Sequence, residues 1–312
     1  MAAETALRIA TVAVLGVLLA SVVAALRLRR SSGEVRLGVL QHVEELRRRL
    51  LVVAAALVAG LVLALTTRLW GWHVAFGGIA WVVPLPVPEF YDTVSAQLFR
   101  AAAAHLVPPG VELIVTSPMD GFAAQFNVAL GIAITLALPV ALYQLGRFLA
   151  PALRPPERRM LAWGLVPATL LFLLGALFAY VVVLPFTLAT LYQFSGALGA
   201  RGLLSVQDFA SFTLGFLVGF GLAFQTPLVM AALSRAGLVA PRAYWGKARH
   251  AIVVILIVAM VVTPDPTIVS QLMLAVPMVL LYVLGAFAAA WVAPKGQDGT
   301  GLAASRPPRR IP

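Results

Sequence analysis

The sequence predicts an all-α polytopic membrane protein, a core of six spanning helices with one extra N-terminal transmembrane span. Three observations predict it. Only 11% of the 312 residues are charged, 61% are hydrophobic and the mean hydropathy is +0.96, whereas about 25% of a soluble domain is charged. Apolar runs of about 20 residues recur, each long enough to cross roughly 30 Å of hydrocarbon as a helix. Finally, the Lys and Arg residues collect in alternate connections between these runs, as basic cytoplasmic loops do.

The leading span covers 9–26 ("IATVAVLGVLLASVVAAL"). Six more follow at 50–67, 121–143, 161–184, 209–231, 250–263 and 269–291. The fifth of these six, "HAIVVILIVAMVVT", has 14 residues, about 21 Å of helix, so it thins the bilayer or sits against partners. Two other origins stay open for the leading span. A signal peptide carries its charge before the apolar run, whereas here the charge follows it. A start codon placed too far upstream is the other.

Nineteen Lys and Arg lie in the arm before the first core span, the loops after core spans two and four, and the tail; four (Arg8, Arg68, Arg100 and Arg201) lie on the other side. The arm, these loops and the tail are therefore expected in the cytoplasm, with the core N-in and C-in. The extreme N-terminus is then outside if the leading span inserts. The expected domains are an anchor and basic linker (1–34), the six-span domain (35–293) and a disordered basic tail (294–312). The net charge of +11 reads as membrane sidedness, not nucleic-acid binding. The chain has no cysteine, so disulfides, thiolate metal sites and cysteine nucleophiles are excluded.

Prolines in "WVVPLPVPEFYD" and "LVPPGVELIVTSP" exclude one long helix from the loop over 68–120. Within it, 90–106 reads as a short helix lying at the membrane interface, with Phe90, Tyr91 and Phe99 as anchors. "TPDPT" (263–267) reads as a tight hairpin between the last two spans.

No Asp, Glu, Lys or Arg falls in the middle of a span, which speaks against an ion-coupled small-molecule secondary transporter. The polar residues of the spans are Asn127, Gln144, Gln225 and Gln271. Gln225 precedes Thr226-Pro227, where its amide can satisfy the carbonyl freed by proline; it reads as helix–helix glue or a docking point for a partner helix. His42, His73, His105 and His250 are scattered, so neither a bis-histidine haem nor a metal centre is expected, and a membrane anchor for a redox enzyme is disfavoured. No HExxH, GxSxG or Walker loop is present. The chain reads as neither enzyme nor cofactor protein.

The arm "HVEELRRRL" (42–50) places two carboxylates in the most basic patch. As a helix it pairs Glu44 with Arg48 and Glu45 with Arg49 at i,i+4. Such exposed pairs contribute only tenths of a kcal/mol, and this pairing alone accounts for Glu44. Glu45 has a second acid to act with: Glu157, the only acid in "LAPALRPPERRM". Two carboxylates kept ionised by arginines suit a guanidinium fork better than an ammonium.

Beyond these readings, the sequence resembles the TatC family, the polytopic receptor subunit of the twin-arginine protein translocase. "HVEELRRRLL" is similar to that family's N-terminal signature. "TSPMDGFAAQFNVALGIAITLALPVALYQLGRFLAPALRPPERR" is similar to its longest motif block, and "YVVVLPFTL" and "VTPDPTIVSQLMLAVPMVLLYVLG" to later ones. The similarity covers about 36–292. It implies a TatC-like six-helix core in a bacterial or archaeal cytoplasmic membrane. It further implies binding of the twin-arginine signal peptides of folded precursor proteins and export driven by the proton-motive force. The implied partners are TatA/TatB-type single-span subunits, further copies in a receptor complex, and membrane lipid. Carried over, the signal-peptide site falls on Glu45, Arg47, Arg49, Phe148, Glu157 and Arg158. Glu45 and Glu157 would grip the guanidinium pair and Phe148 would form an apolar or cation–π wall; the arginines would shape and neutralise the site. The short spans five and six would receive the single-span partners. Gln225, Asp265, Gln271 and Asp120 are the partner-docking or structural polar positions. The sequence departs from the family with Gln225 where glutamate is common, Asp120 where Glu is usual and Asn127 where Lys is frequent. The leading span and "RLRRSSGEVR" lie outside the family pattern.

Overall fold

The computed structural model describes residues 16–17, 19–24, 26, 39–76, 79–89, 91–149, 155–197, 199–262 and 268–293. The expected "TPDPT" hairpin, with Asp265, and the tail from 294 lie outside these residues. The chain divides into two compact units, Met1–Leu222 and Ala223–Pro312.

In the first unit, α1 (Val39–Thr66) has 28 residues. It begins eleven residues before the expected span, so the basic arm and the first span are one continuous helix. Its partner is α3 (Asp120–Leu149). Lipid gives two apolar helices no hydrophobic reason to associate, so close backbone approach by small residues does the work. Ala64 of α1 and Ala129, Ala133 and Ala137 of α3 are buried. At Gly60 a Cβ would stand 3.0 Å from the Ala133 Cα.

The connection from α1 to α3 contains the expected short helix and, before it, a strand pair that was not expected. β1 (Thr67–Phe76) and β2 (Ile79–Pro88) form an antiparallel hairpin, with Thr67 opposite Pro88 and Phe76 opposite Ile79. Pro84, Pro86 and Pro88 alternate along β2, so their missing N–H groups fall on one edge and leave the other to pair. α2 (Val94–Leu106) starts at Thr93, whose hydroxyl accepts the Ala96 N–H at 3.2 Å. The expected interfacial helix is corrected here. It begins at Val94, and Phe99 turns inward to meet Phe209 edge-on at 5.5 Å, where aromatic packing holds it better than lipid contact. Tyr91 stays 89% exposed, and Phe90 lies outside the described residues.

α4 (Pro155–Phe178), a π-helical turn (Ala179–Val183) and α5 (Leu184–Ala197) form one rod. The wide turn lets the Leu184 N–H reach back to the Ala179 carbonyl just before Pro185, which has no N–H to donate. β4 (Gly202–Ser205) then pairs in parallel with β3 (Val111–Ile114), joining two loops distant in sequence. α6 (Val206–Ala223) closes the unit.

The expected fourth span is built from two helices: α6 stops at Ala223 and α7 (Thr226–Arg235) starts after it, where Pro227, with no N–H to donate, suits the first turn of a new helix. Gln225 is the N-cap residue of α7 and makes no side-chain capping bond; its carbonyl accepts the Val229 N–H at 3.0 Å.

The second unit also contains α8 (Pro241–Gly246), α9 (Ala248–Val262) and α10 (Ile268–Val292). A Cβ on Gly285 of α10 would meet Met230 Sδ at 2.6 Å and the Pro227 Cα at 3.0 Å, so glycine permits this contact between α7 and α10. Tyr282 donates to the Tyr244 carbonyl at 2.7 Å, and Tyr244 donates to the Met230 carbonyl at 3.2 Å. Arg235 donates to the Val292 carbonyl at 3.1 Å, satisfying an otherwise orphaned acceptor at the end of α10.

Among the described residues, five segments are long and apolar enough to cross a membrane: Val43–Thr66, Asp120–Phe148, Gly164–Ala197, Val206–Arg235 and Gln271–Val292. The fifth expected core span is the shorter apolar helix Ala248–Met260.

Candidate functional site

The arm forms the first turns of α1, so residues four apart lie on one face. Arg49 donates through Nε to Glu45 Oε1 at 3.1 Å and through Nη2 to the same oxygen. Its Nη1 donates to Gln144 Oε1 at 3.4 Å. Glu45, Arg49 and Gln144 thus join α1 to α3. Gly60 and Ala133 lie eleven residues from Arg49 and Gln144 respectively, as antiparallel helices require. The site therefore stands about 16 Å along the bundle from the Gly60–Ala133 contact.

Shelter separates this pair from its neighbour. The side chains of Arg49 and Glu45 are 13% and 20% exposed, while those of Arg47 and Glu44, 3.9 Å apart, are both 73% exposed. The expected Glu44–Arg48 pair is corrected to Glu44–Arg47 at i,i+3. That solvated pair holds little energy. The Glu45–Arg49 pair is charge-assisted, hydrogen-bonded and shielded, so it holds its geometry.

Phe148 is half-buried one helical turn beyond Gln144, and between them Arg147 lies 5.9 Å from the centre of the Tyr143 ring. Glu157 and Arg158 fall in the first turn of α4, where the helix dipole favours a carboxylate; their side chains lie outside the described residues. The structure therefore brings Glu45 and Arg49 together and leaves Arg47 in solvent. Sequence reasoning treated Gln144 as a span residue. Its tie to Arg49 crosses 95 positions and has no local signature.

The other polar positions lie elsewhere. Asp120 Oδ2 accepts from Thr116 N at 2.7 Å, Thr116 Oγ1 at 2.6 Å and Ser117 N at 2.8 Å, fastening the far end of α3. Asn127 donates to Ser211 Oγ at 2.8 Å, tying α3 to α6. Gln271 donates to the Leu256 carbonyl at 3.1 Å, tying α9 to α10. Before α2, Arg68 lies 3.1 Å from Asp92, which also pairs with Arg100. The Arg100 hydrogen bond, ahead of the Gln97 amide and the arginine charges, holds the Asp92 carboxyl below its usual range. Among the described residues no cluster of three or more His, Asp or Glu is placed to hold a metal ion.

The family model for the Sec-independent protein translocase protein (TatC) matches residues 41–277. The chain is similar to a Sec-independent protein translocase protein TatC of Cenarchaeum symbiosum, 39% identical over 79% of this chain and 92% of that one. It is similar to the protein of the same description from Escherichia coli K12, 31% identical over 67% of this chain and 79% of that one. Among solved structures it resembles a twin-arginine translocase receptor TatC, with a TM-score of 0.63 and 32% identity over 80% of this chain and 99% of that one. The chain belongs to the TatC family, and is a multi-pass cytoplasmic-membrane component of the Tat protein translocase, which works with other subunits and is not an enzyme.

Proposed function

We propose that this chain is the receptor for twin-arginine signal peptides and the core subunit of its translocase. In this reading it exports folded proteins across the cytoplasmic membrane, driven by the proton-motive force. One observation carries the reading: a sheltered carboxylate, Glu45, is held at fixed geometry inside an otherwise solvated basic arm. A carboxylate kept only for solubility has no need of a guanidinium that is itself tied to a glutamine of another helix. Glu45, with Glu157 from the start of α4, takes the arginine pair of the signal. Phe148 supplies the apolar wall. Arg47, Arg49 and Arg158 neutralise and orient the carboxylates.

The 19-to-4 division of basic residues supports a cytoplasmic arm and tail, and an N-in, C-in core. The 1–34 segment is then an additional anchor with a basic linker. Single-span TatA/TatB-type subunits dock on α9 and α10. α9 has 15 residues, about 22 Å, so the bilayer beside it is thinned or a partner covers it. Asp265 and Gln225 act on this side as polar docking positions, and further copies of the chain join the receptor complex.

Photocrosslinking tests the receptor role. Probes at positions 43 and 46, both exposed on the arm, are challenged with an Arg-Arg precursor and its Lys-Lys control. Crosslinks that require both the arginine pair and Glu45 support it. Equal crosslinking of both precursors, untouched by Glu45→Ala and Glu157→Ala, would leave the arm a salt-bridged anchor.

A further inference from the structure

The leading stretch is helical at residues 16–17, 19–24 and 26 and belongs to the first unit. Val17 and Ser21 are 1% and 0% exposed. Ala24 packs against Leu165 of α4, together with Leu142 and Tyr143 of α3. Residues 17, 21 and 24 stand at i, i+4 and i+7, one stripe of a helix. The opposite face shows Leu19, Val22, Val23 and Leu26 outward. Val17, Ser21 and Ala24 thus line the packed side, and the serine and alanine are small residues of the kind that let helices approach in lipid. A helix surrounded only by lipid would have no cause to bury a serine completely. This helix has a definite seat.

The seat adjoins the receptor site. Leu142 and Tyr143 immediately precede Gln144, the acceptor for Arg49. Leu165 lies about two turns beyond Glu157 and Arg158 on α4. A signal peptide carries its charge first and then 7–15 apolar residues, a helical length of about 10–22 Å. With its arginines at Glu45, that apolar segment enters the membrane beside the arm end of α3 and α4. The face there is Leu142, Tyr143 and Leu165, and the chain's own helix occupies it.

We infer that the leading helix is an intramolecular occupant of the face that receives the apolar segment of a signal peptide. The two compete for it, apolar helix against apolar helix. The inference rests on the receptor reading. Tethering sets the competitor at an effective concentration in the millimolar range, so the seated helix weakens peptide binding until it moves aside.

The absence of native cysteine makes a direct test available. In the full chain, Ala24→Cys and Leu165→Cys introduce two thiols at a contact. Oxidation should form an intramolecular disulfide. The locked protein should bind an Arg-Arg signal peptide at least about tenfold more weakly than the same sample after reduction, given a competitor at millimolar effective concentration. A disulfide that forms and leaves binding unchanged overturns the inference, and so does failure of the thiols to join. Ser21→Phe, which adds bulk to the packed stripe, should unseat the helix and tighten peptide binding several-fold; unchanged affinity again counts against competition. The reduced protein is also assayed with a Lys-Lys peptide and with Glu45→Ala. If it binds both peptides equally and ignores the glutamate change, the receptor reading fails and the inference with it. If it discriminates while the lock has no effect, only the inference fails.

Discussion

Gly60 is a position where a single carbon has leverage on the contact between α1 and α3. An added Cβ would stand 3.0 Å from the Ala133 Cα and 3.3 Å from its Cβ. Carbon pairs are best separated by about 3.5–4.0 Å, so the helices must part by roughly half an ångström to admit it. Overpacking of this kind costs about 1–3 kcal/mol. Gly60→Ala recovers about 1 kcal/mol of helix propensity, so its net effect is a loss of about 0–2 kcal/mol. Gly60→Val adds two methyls and recovers less propensity, so it should lose about 2–3 kcal/mol. At about 2–4 °C per kcal/mol for a chain of this order, Gly60→Val should lower the apparent melting temperature in detergent by about 4–12 °C. Ala133→Gly in the same chain should restore only part of this, because the nearer atom is backbone. A neutral Gly60→Val, or full rescue by Ala133→Gly, would refute a backbone-limited contact between α1 and α3.

Arg49→Ala removes the charge-assisted pair to the sheltered Glu45 carboxylate and the tie to Gln144, and should cost about 1.5–3 kcal/mol in thermal stability; Arg47→Ala, in solvent, should stay within about 0.5 kcal/mol. The Asp92 carboxyl titrates below its ordinary value of 3.8 when folded, so its stabilisation is complete above that value and is lost as pH falls through the lower folded value. Limited proteolysis of the segment between α1 and α3 should therefore accelerate in acid below about pH 4, and Asp92→Asn should be equally accessible at both pH values. Asp120→Ala should increase hydrogen exchange at Thr116 and Ser117, whose N–H groups it holds, without altering exchange in the arm.

Long apolar runs and segregated arginines are one-dimensional signals, so the spans were legible. So was the Glu45–Arg49 pair, because i,i+4 spacing on a helix brings such residues together wherever the helix goes. The arm's continuity with the span was less legible: charge ends an apolar run without ending a helix. Gln144 is a span residue, as expected, but its tie to Arg49 was not legible because it is set by how α1 lies on α3, through Gly60 and Ala133. Phe99 read as an interfacial anchor because sequence shows an aromatic residue near a membrane boundary but not Phe209, 110 positions away, which receives it. The β1–β2 hairpin was hidden by its prolines, which exclude helix more loudly than they permit an edge strand. At Gln225 the apolar run predicts one span, and Val206–Arg235 is one; that it is built from two helices meeting at the proline does not show in hydropathy.

α1 carries the arm and the span with no break from Val39 to Thr66, and β1 begins at the next residue. Its 28 residues make a shaft about 42 Å long. A tilt of roughly 10° about Gly60 carries Glu45 through roughly 4 Å and Thr66 through roughly 1.5 Å, on the same rise per residue. Load applied at Glu45 is therefore felt at the hairpin as displacement, with Gly60 against Ala133 as the fulcrum. A stiff rod through the bilayer makes the two faces of the membrane mechanically adjacent.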